Sequence, residues 1–199
     1  MKSPFKISAL ILAFAGLSFG AKAQTATTTT KTSNSSNGVI LSIGVDAGIP
    51  TGSYKSAYDW NLGGSVQADI PVIAKSLYVT VNAGYNNVFG KDNVYGSGLD
   101  ATNIQLLPVK AGLKYFIVPH FYVQGEAGAA FLLNKSNLDD TKTAAFVYAP
   151  QLGYQFPLGG NSYLDAGVRY ESTAKFNSDF DDSKVSFLGL RVAYAFATK

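Results

Sequence analysis

Five carboxylates and four cations stand in stretches of this chain that otherwise alternate apolar and small residues. The acids are Asp46, Asp69, Glu126, Asp165 and Glu171, and the bases are Lys110, Lys114, Arg169 and Arg191. Ion pairing is the chemistry such a mixed set offers when it shares an enclosed volume, where a lone buried charge is costly. The stretch FLGLRVAYAF (Phe187 to Phe196) states the problem most plainly. Leu188, Leu190, Val192, Tyr194 and Phe196 form one apolar set, and Arg191 stands among Phe187, Gly189, Ala193 and Ala195 in the other. A mid-strand arginine needs water or a carboxylate. Pairing of Arg169 or Arg191 with Glu126, Asp165 or Asp46 is the expectation.

Other chemistries find less support. Nucleophilic catalysis by serine needs a histidine beside it. The single histidine, His120, lies in the short stretch VPHF and reads as a turn residue, so the chain is read as no enzyme. The lack of cysteine excludes disulfides, thiolate metal sites and cysteine nucleophiles. Asp179, Asp181 and Asp182 lie near Asn177 without the regular spacing of a calcium loop, and read as a solvated acidic loop. No metal or cofactor is implied. Tyr54, Tyr58 and Tyr95, set among Gly and Ser, suit partner contact or an outer aromatic ring equally.

The elements that must position the charges follow a period of two. From Val39 onward eight stretches alternate apolar with polar or small residues. The second sets Trp60, Leu62, Val66, Ala68 and Ile70 against Asn61, Gly63, Ser65, Gln67 and Asp69. The sixth sets Phe146, Tyr148, Leu152, Tyr154 and Phe156 against Gln151, Gly153 and Gln155. A glycine falls on the polar face of every strand: Gly44, Gly63, Gly84, Gly112, Gly128, Gly153, Gly167 and Gly189. Glycine weakens a strand interior, so the repeat marks places where space is short. Converging polar faces inside a narrow barrel would need that space for Lys, Arg, Gln and Tyr side chains. One stretch fits badly. Ile104 and Leu106 share parity with Lys110, and Pro108 lies between, which predicts a β-bulge near Leu107–Pro108 that shifts the register by one. Pro150 raises a similar, weaker question.

Connections alternate in length. IAKS, VPH and PLGGNS are tight, whereas TGSYKSAYD, GKDNVYGSGLD, NKSNLDDTKT and STAKFNSDFDDSK are longer and polar. This is the pattern of an antiparallel meander with turns at one end and loops at the other.

Ahead of the strands stands an export signal, 1–23. Lys2 and Lys6 precede the apolar run Ile7 to Phe19, and Ala21-Lys22-Ala23 gives the cleavage pattern before Gln24. Residues 24–38, rich in Thr, Ser and Asn, read as a disordered leader, and 39–199 as the barrel. The formal +3 charge is carried by Lys2, Lys6 and Lys22, so the processed chain is near neutral and nucleic acid is no expected partner.

Alternation alone suits a soluble barrel with an apolar interior or a membrane barrel with a polar lumen. The glycine-rich polar face and its few mixed charges favour the second, as do aromatics at two levels of the apolar face. Trp60, Tyr85 and Phe146 lie toward the loops. Tyr115, Phe121, Phe156, Tyr194 and Phe196 lie toward the turns. The fold class expected is an all-β, eight-stranded, antiparallel up-and-down transmembrane barrel with a lumen filled by side chains.

The AKAQ processing site, the hairpin IPVxxxxLYVTVNAGY (Ile70 to Tyr85), LPVKAGLKYF (Leu107 to Phe116), APQLGYQF (Ala149 to Phe156) and the aromatic last strand carry a resemblance. Over Val39 to Phe196 the chain resembles small eight-stranded outer-membrane barrels such as the OmpX/OmpA transmembrane barrel. It most resembles outer membrane protein beta-barrel domain or porin-family proteins of Bacteroidetes-type bacteria. The resemblance implies a bacterial outer-membrane location, a lipid surround, and recognition of a C-terminal aromatic, here Phe196, by the barrel-assembly machinery. The role expected is structural or interactive at the cell envelope. A narrow conduit for ions or small solutes and adhesion through the loops are the alternatives, and no extracellular ligand is specified.

Overall fold

The computed structural model describes residues 38–73, 76–93, 100–134, 143–175 and 184–198. The export signal, the leader apart from Gly38, Tyr95, Asn177 and the acids Asp179, Asp181 and Asp182 lie outside them. Eight strands follow one another: β1 (Ile40–Pro50), β2 (Tyr58–Ile73), β3 (Leu77–Gly90), β4 (Ile104–Val118), β5 (Phe121–Leu132), β6 (Ala144–Gly159), β7 (Ser162–Thr173) and β8 (Ser186–Ala197). Each pairs antiparallel with the next, and β8 returns to β1, closing the barrel. The closing seam runs in unbroken register from Ile40↔Ala197 to Pro50↔Phe187. A closed sheet leaves no strand edge unpaired.

All the longer connections leave one end of the barrel and all the short ones the other. The first long connection carries a short 3₁₀ helix, Gly52–Ser56. At the turn end His120 and Gly160 adopt left-handed backbone, with φ of 71° and 60°. These tight reversals keep successive strands in register.

Side chains alternate between wall faces as the period of two requires. In β6 the burial alternates strictly from Ala144 to Phe156. The outer face is apolar and open along every strand: Val45, Leu62, Val81, Leu113, Phe131, Leu152, Val168 and Leu190 are all exposed. The inner face holds most of the polar residues, and the five acids and four bases singled out in the sequence are all buried there, whereas Asp59 at the start of β2 is exposed.

The register is continuous through Pro108, contrary to the bulge expected near Leu107–Pro108. Leu106↔Leu132, Pro108↔Ala130 and Lys110↔Gly128 run in step between β4 and β5. On the other side, β3 and β4 hold one register from Ala83↔Val109 to Asn86↔Leu106, with the ladder lapsing at the two positions between. The missing proline N–H falls in that lapse, so no extra residue has to be inserted. The ring itself finds room because it packs toward Gly84: a Cβ there would lie 3.7 Å from Pro108 Cγ. Pro150 is accommodated likewise, with one register kept from Tyr148↔Ser172 to Gln151↔Arg169. Register shifts occur near strand ends, at Tyr58/Trp60, Pro71/Ile73, Phe116/Val118 and Pro157/Gly159.

Without a bulge, Ile104 and Leu106 stay on the inner face with Lys110. They join Val88, Ala130, Leu132, Ala145, Val147, Val185 and Phe187 in an apolar cluster at the loop end of the interior. Ile40, Tyr78 and Ala195, with Phe116, Tyr163 and Ala197 against them, form a second one at the turn end. The barrel interior is therefore layered: apolar, then charged, then apolar.

Candidate functional site

The charged middle layer is the most chemically distinctive part of the molecule. It divides into two ion-pair groups. In the first, Arg169 on β7 reaches across the lumen to Asp46 on β1, with Nη1 3.2 Å from Oδ1. Its Nη2 lies 3.7 Å from Glu126 Oε2, and its Nε donates to Gln151 Oε1 at 2.8 Å. Lys110 on β4 contacts Glu171 closely and lies 3.6 Å from Glu126 Oε2. Asn86 donates to Glu171 and Thr80 to Glu126.

In the second group, Lys114 lies 2.7 Å from Asp69 and 3.4 Å from Asp165, and its ammonium sits 4.4 Å above the Tyr122 ring. The latter contact adds a cation–π attraction between two buried side chains. Asp165 also accepts from the Tyr122 hydroxyl at 2.6 Å and from Gln155 at 2.9 Å. Arg191 Nη1 approaches Asp165 to 3.8 Å, an ion contact without a hydrogen bond. Its other donors go to hydroxyls, Nε to Ser65 and Nη2 to Ser42, each at 3.1 Å. Ser65 in turn donates to Asp46 at 2.7 Å, so one hydroxyl joins the two groups.

The strands position these groups by leaving gaps beside them. A Cβ at Gly153 would strike the Tyr122 ring, and one at Gly167 would come 2.7 Å from Gln151 Nε2. A Cβ at Gly63 would strike Asn86 Oδ1. Inner-face glycines thus make the space that the large polar side chains fill. The largest fully buried side chains are Arg191, Tyr122, Lys110 and Lys114. The side chains cross the lumen from wall to wall, as in β3 to β7 (Asn86 to Glu171) and β2 to β5 (Gln67 to Gln124). Some buried atoms lack a hydrogen-bond partner, among them both polar atoms of Asn61, Asn82 Oδ1 and Glu126 Oε2. Buried polar atoms of this kind are usually served by ordered water.

Sequence reasoning placed the charges and glutamines on this face but did not select Ser42, Ser65, Thr80, Asn82 or Asn86 as their partners. Their parity is the same as that of the charges, which is the signal that carries the information. The apolar layers were missed for a different reason: parity gives the face, and no periodic signal says that the face turns apolar near its ends.

The residues expected as an aromatic girdle all stand on the outer face. Trp60, Tyr115, Phe121, Phe156, Tyr194 and Phe196 are exposed and Tyr85 is half-buried. Trp60 stacks on Phe89 with ring centres 4.3 Å apart near the loop end. Near the turn end Tyr154 meets Phe156 at 4.7 Å, and the Tyr194 hydroxyl lies 2.8 Å from Ser162 Oγ. His120 lies at the turn end between Tyr154 and Tyr163, 5.9 and 6.3 Å from their rings, apart from the charged layer. Among the described residues no group of three or more acids or histidines is placed to hold a metal ion.

A family model described as "Outer membrane protein beta-barrel domain" matches residues 8–196. No curated protein matches the chain. Solved structures give fold likenesses at low identity. The outer membrane protein OprG from Pseudomonas aeruginosa is 13% identical, with a TM-score of 0.51 over 80% of this chain and 95% of that one. The Yersinia pestis outer membrane protein Ail, in a phospholipid bilayer nanodisc, is 21% identical, with a TM-score of 0.52 over 80% of this chain and 99% of that one.

Proposed function

The chain belongs to the outer membrane protein beta-barrel domain family and resides in the bacterial outer membrane, and from that premise we propose that it is a barrel with a sealed lumen, acting through its wall and loops at the cell envelope. The observation that carries this reading is the layered interior. Arg169, Lys110, Glu126 and Glu171 link opposite walls, and apolar residues close the space above and below them. An ion entering would have to displace buried ion pairs and then cross an apolar layer, both steps of high cost.

The same arrangement disfavours a narrow solute conduit. Export through the 1–23 signal, and insertion by the barrel-assembly machinery acting on the Phe196 region, complete the reading. Planar-bilayer recordings of the purified barrel test it: the expected result is a silent membrane, and stable openings of porin size would overturn the sealed lumen.

A further inference from the structure

The wall has two places where its ladder lapses in mid-strand, and a proline stands at each. Between β3 and β4 the pairing stops after Ala83↔Val109 and resumes at Asn86↔Leu106, which leaves Gly84 and Tyr85 out of the ladder with Leu107 and Pro108. Between β6 and β7 it stops after Tyr148↔Ser172 and resumes at Gln151↔Arg169, which leaves out Ala149 and Pro150 with Tyr170 and Glu171. The other six interfaces have no mid-strand lapse, only register shifts near strand ends. Proline has no N–H to give a neighbouring strand. A backbone group left over inside a membrane has no water to turn to. Each lapse is therefore a weak place in the wall.

The first ion-pair group lies over both of them. Glu171 stands in the β6–β7 lapse, and its carboxylate crosses the lumen to the other one. There it meets both strands at once: Oε1 accepts from Asn86 Nδ2 on β3 at 3.4 Å, and Oε2 contacts Lys110 Nζ on β4. Asn86 is in the pair at which the ladder resumes on the loop side of Pro108, and Lys110 lies two residues to its turn side. On the opposite wall Arg169 Nε donates to Gln151 Oε1 at 2.8 Å, which ties β7 to β6 at the first pair on the turn side of that lapse. Glu126 Oε2, 3.6 Å from Lys110 Nζ and 3.7 Å from Arg169 Nη2, stands between the two ties.

We propose that Glu171 is a latch for the wall: from inside the lumen its carboxylate holds β3 against β4 where Pro108 cannot make the backbone bond. With the latch in place the barrel is shut around its whole circumference. Without it the wall parts locally beside Pro108 while the rest of the ladder holds, as a sub-global opening does. Glu171 is thus a positioning residue, acting through Asn86 and Lys110 on the two strands that they belong to. The charged layer serves the wall as well as filling the lumen, and this role does not depend on whether the lumen conducts.

Hydrogen exchange of the full barrel in phospholipid nanodiscs, followed amide by amide by NMR, tests the latch. Glu171→Ala removes both of its arms and leaves Asp46 and Glu126 with Lys110 and Arg169, so the group keeps equal numbers of acids and bases. The expected result is exchange about tenfold faster at Ala83 to Asn86 and at Leu106, Leu107 and Val109, as for the loss of a hydrogen bond to a charged group. The β1–β8 seam from Ser42 to Asp46 should exchange as before. Pro108→Ala supplies the missing N–H, and in that background Glu171→Ala should no longer speed exchange between β3 and β4. Asn86→Ala removes the β3 arm and no charge, and with Pro108→Ala it decides the matter in the same way if Glu171→Ala fails to insert. No acceleration beside Pro108, acceleration spread equally to the seam, or acceleration that survives Pro108→Ala in full overturns the proposal.

Discussion

Arg191 is register-paired with Asp46 across the seam, yet its ion contact is Asp165 on β7, and Asp46 goes to Arg169 from across the lumen. The alternation of the sequence reveals that these residues face inward. It does not reveal their partners, because arginine and lysine side chains are long enough to bypass the neighbour set by register. Asp165 gathers more of the second group than any other residue there: Lys114, Arg191, Tyr122 and Gln155 all turn to it. Asp165→Asn is expected to destabilise the barrel by about 3–5 kcal/mol, because it leaves buried cations short of a counter-charge. Asp59→Asn breaks only an exposed pair with Lys91, 3.7 Å apart, and is expected to cost about 0–1 kcal/mol. Urea unfolding of both variants in the same lipid vesicles gives the comparison, and equal effects would mean that the lumen is wet. Gly153→Ala presses a methyl group into the Tyr122 ring, and the expected loss is about 1–3 kcal/mol by the same measurement.

β4 shows where reading by element succeeds and where it stops. Its span, its turn and its alternating faces are all visible in the sequence. Ile104 and Leu106 share the parity of Lys110, and on the assumption of a uniformly polar inner face that required a shift of register. The barrel instead keeps the register and changes the polarity of the face along its length. Leu106 is fully buried and Leu107, beside it, is exposed on the outer wall. Leu106→Ala is therefore expected to cost about 2–5 kcal/mol, as for a cavity in a protein core. Leu107→Ala should cost distinctly less, since lipid can follow the smaller side chain. A larger effect at Leu107 in equilibrium unfolding would contradict the face assignment. The strand pattern carried no trace of this because period two records which wall a residue faces and is silent about depth.

At the scale of the molecule, a polar interior and an apolar exterior reverse the usual soluble arrangement, and only a lipid surround makes that stable. The glycine repeat, the loop and turn asymmetry and the aromatic placement made this much legible before any coordinates. The cost of a charge on the outer wall should accordingly depend on depth. Val192→Arg, in mid-strand, is expected to destabilise by about 2–4 kcal/mol, and Ile73→Arg, next to a turn, by about 0–1 kcal/mol. Folding equilibria in vesicles measure both, and depth-independent values would be incompatible with a bilayer around the wall. The seam between β1 and β8 carries a further consequence, for the order of events in assembly. Every other neighbouring pair joins consecutive strands, whereas this one joins positions 137 (187 minus 50) to 157 (197 minus 40) residues apart. Hairpins form locally and early, and contacts so distant along the chain come late. Until they do, two rows of backbone donors and acceptors stand unpaired, at several kcal/mol for each group left in hydrocarbon. A half-inserted sheet is thus no resting state for this chain: closing the circle and entering the lipid are a single event.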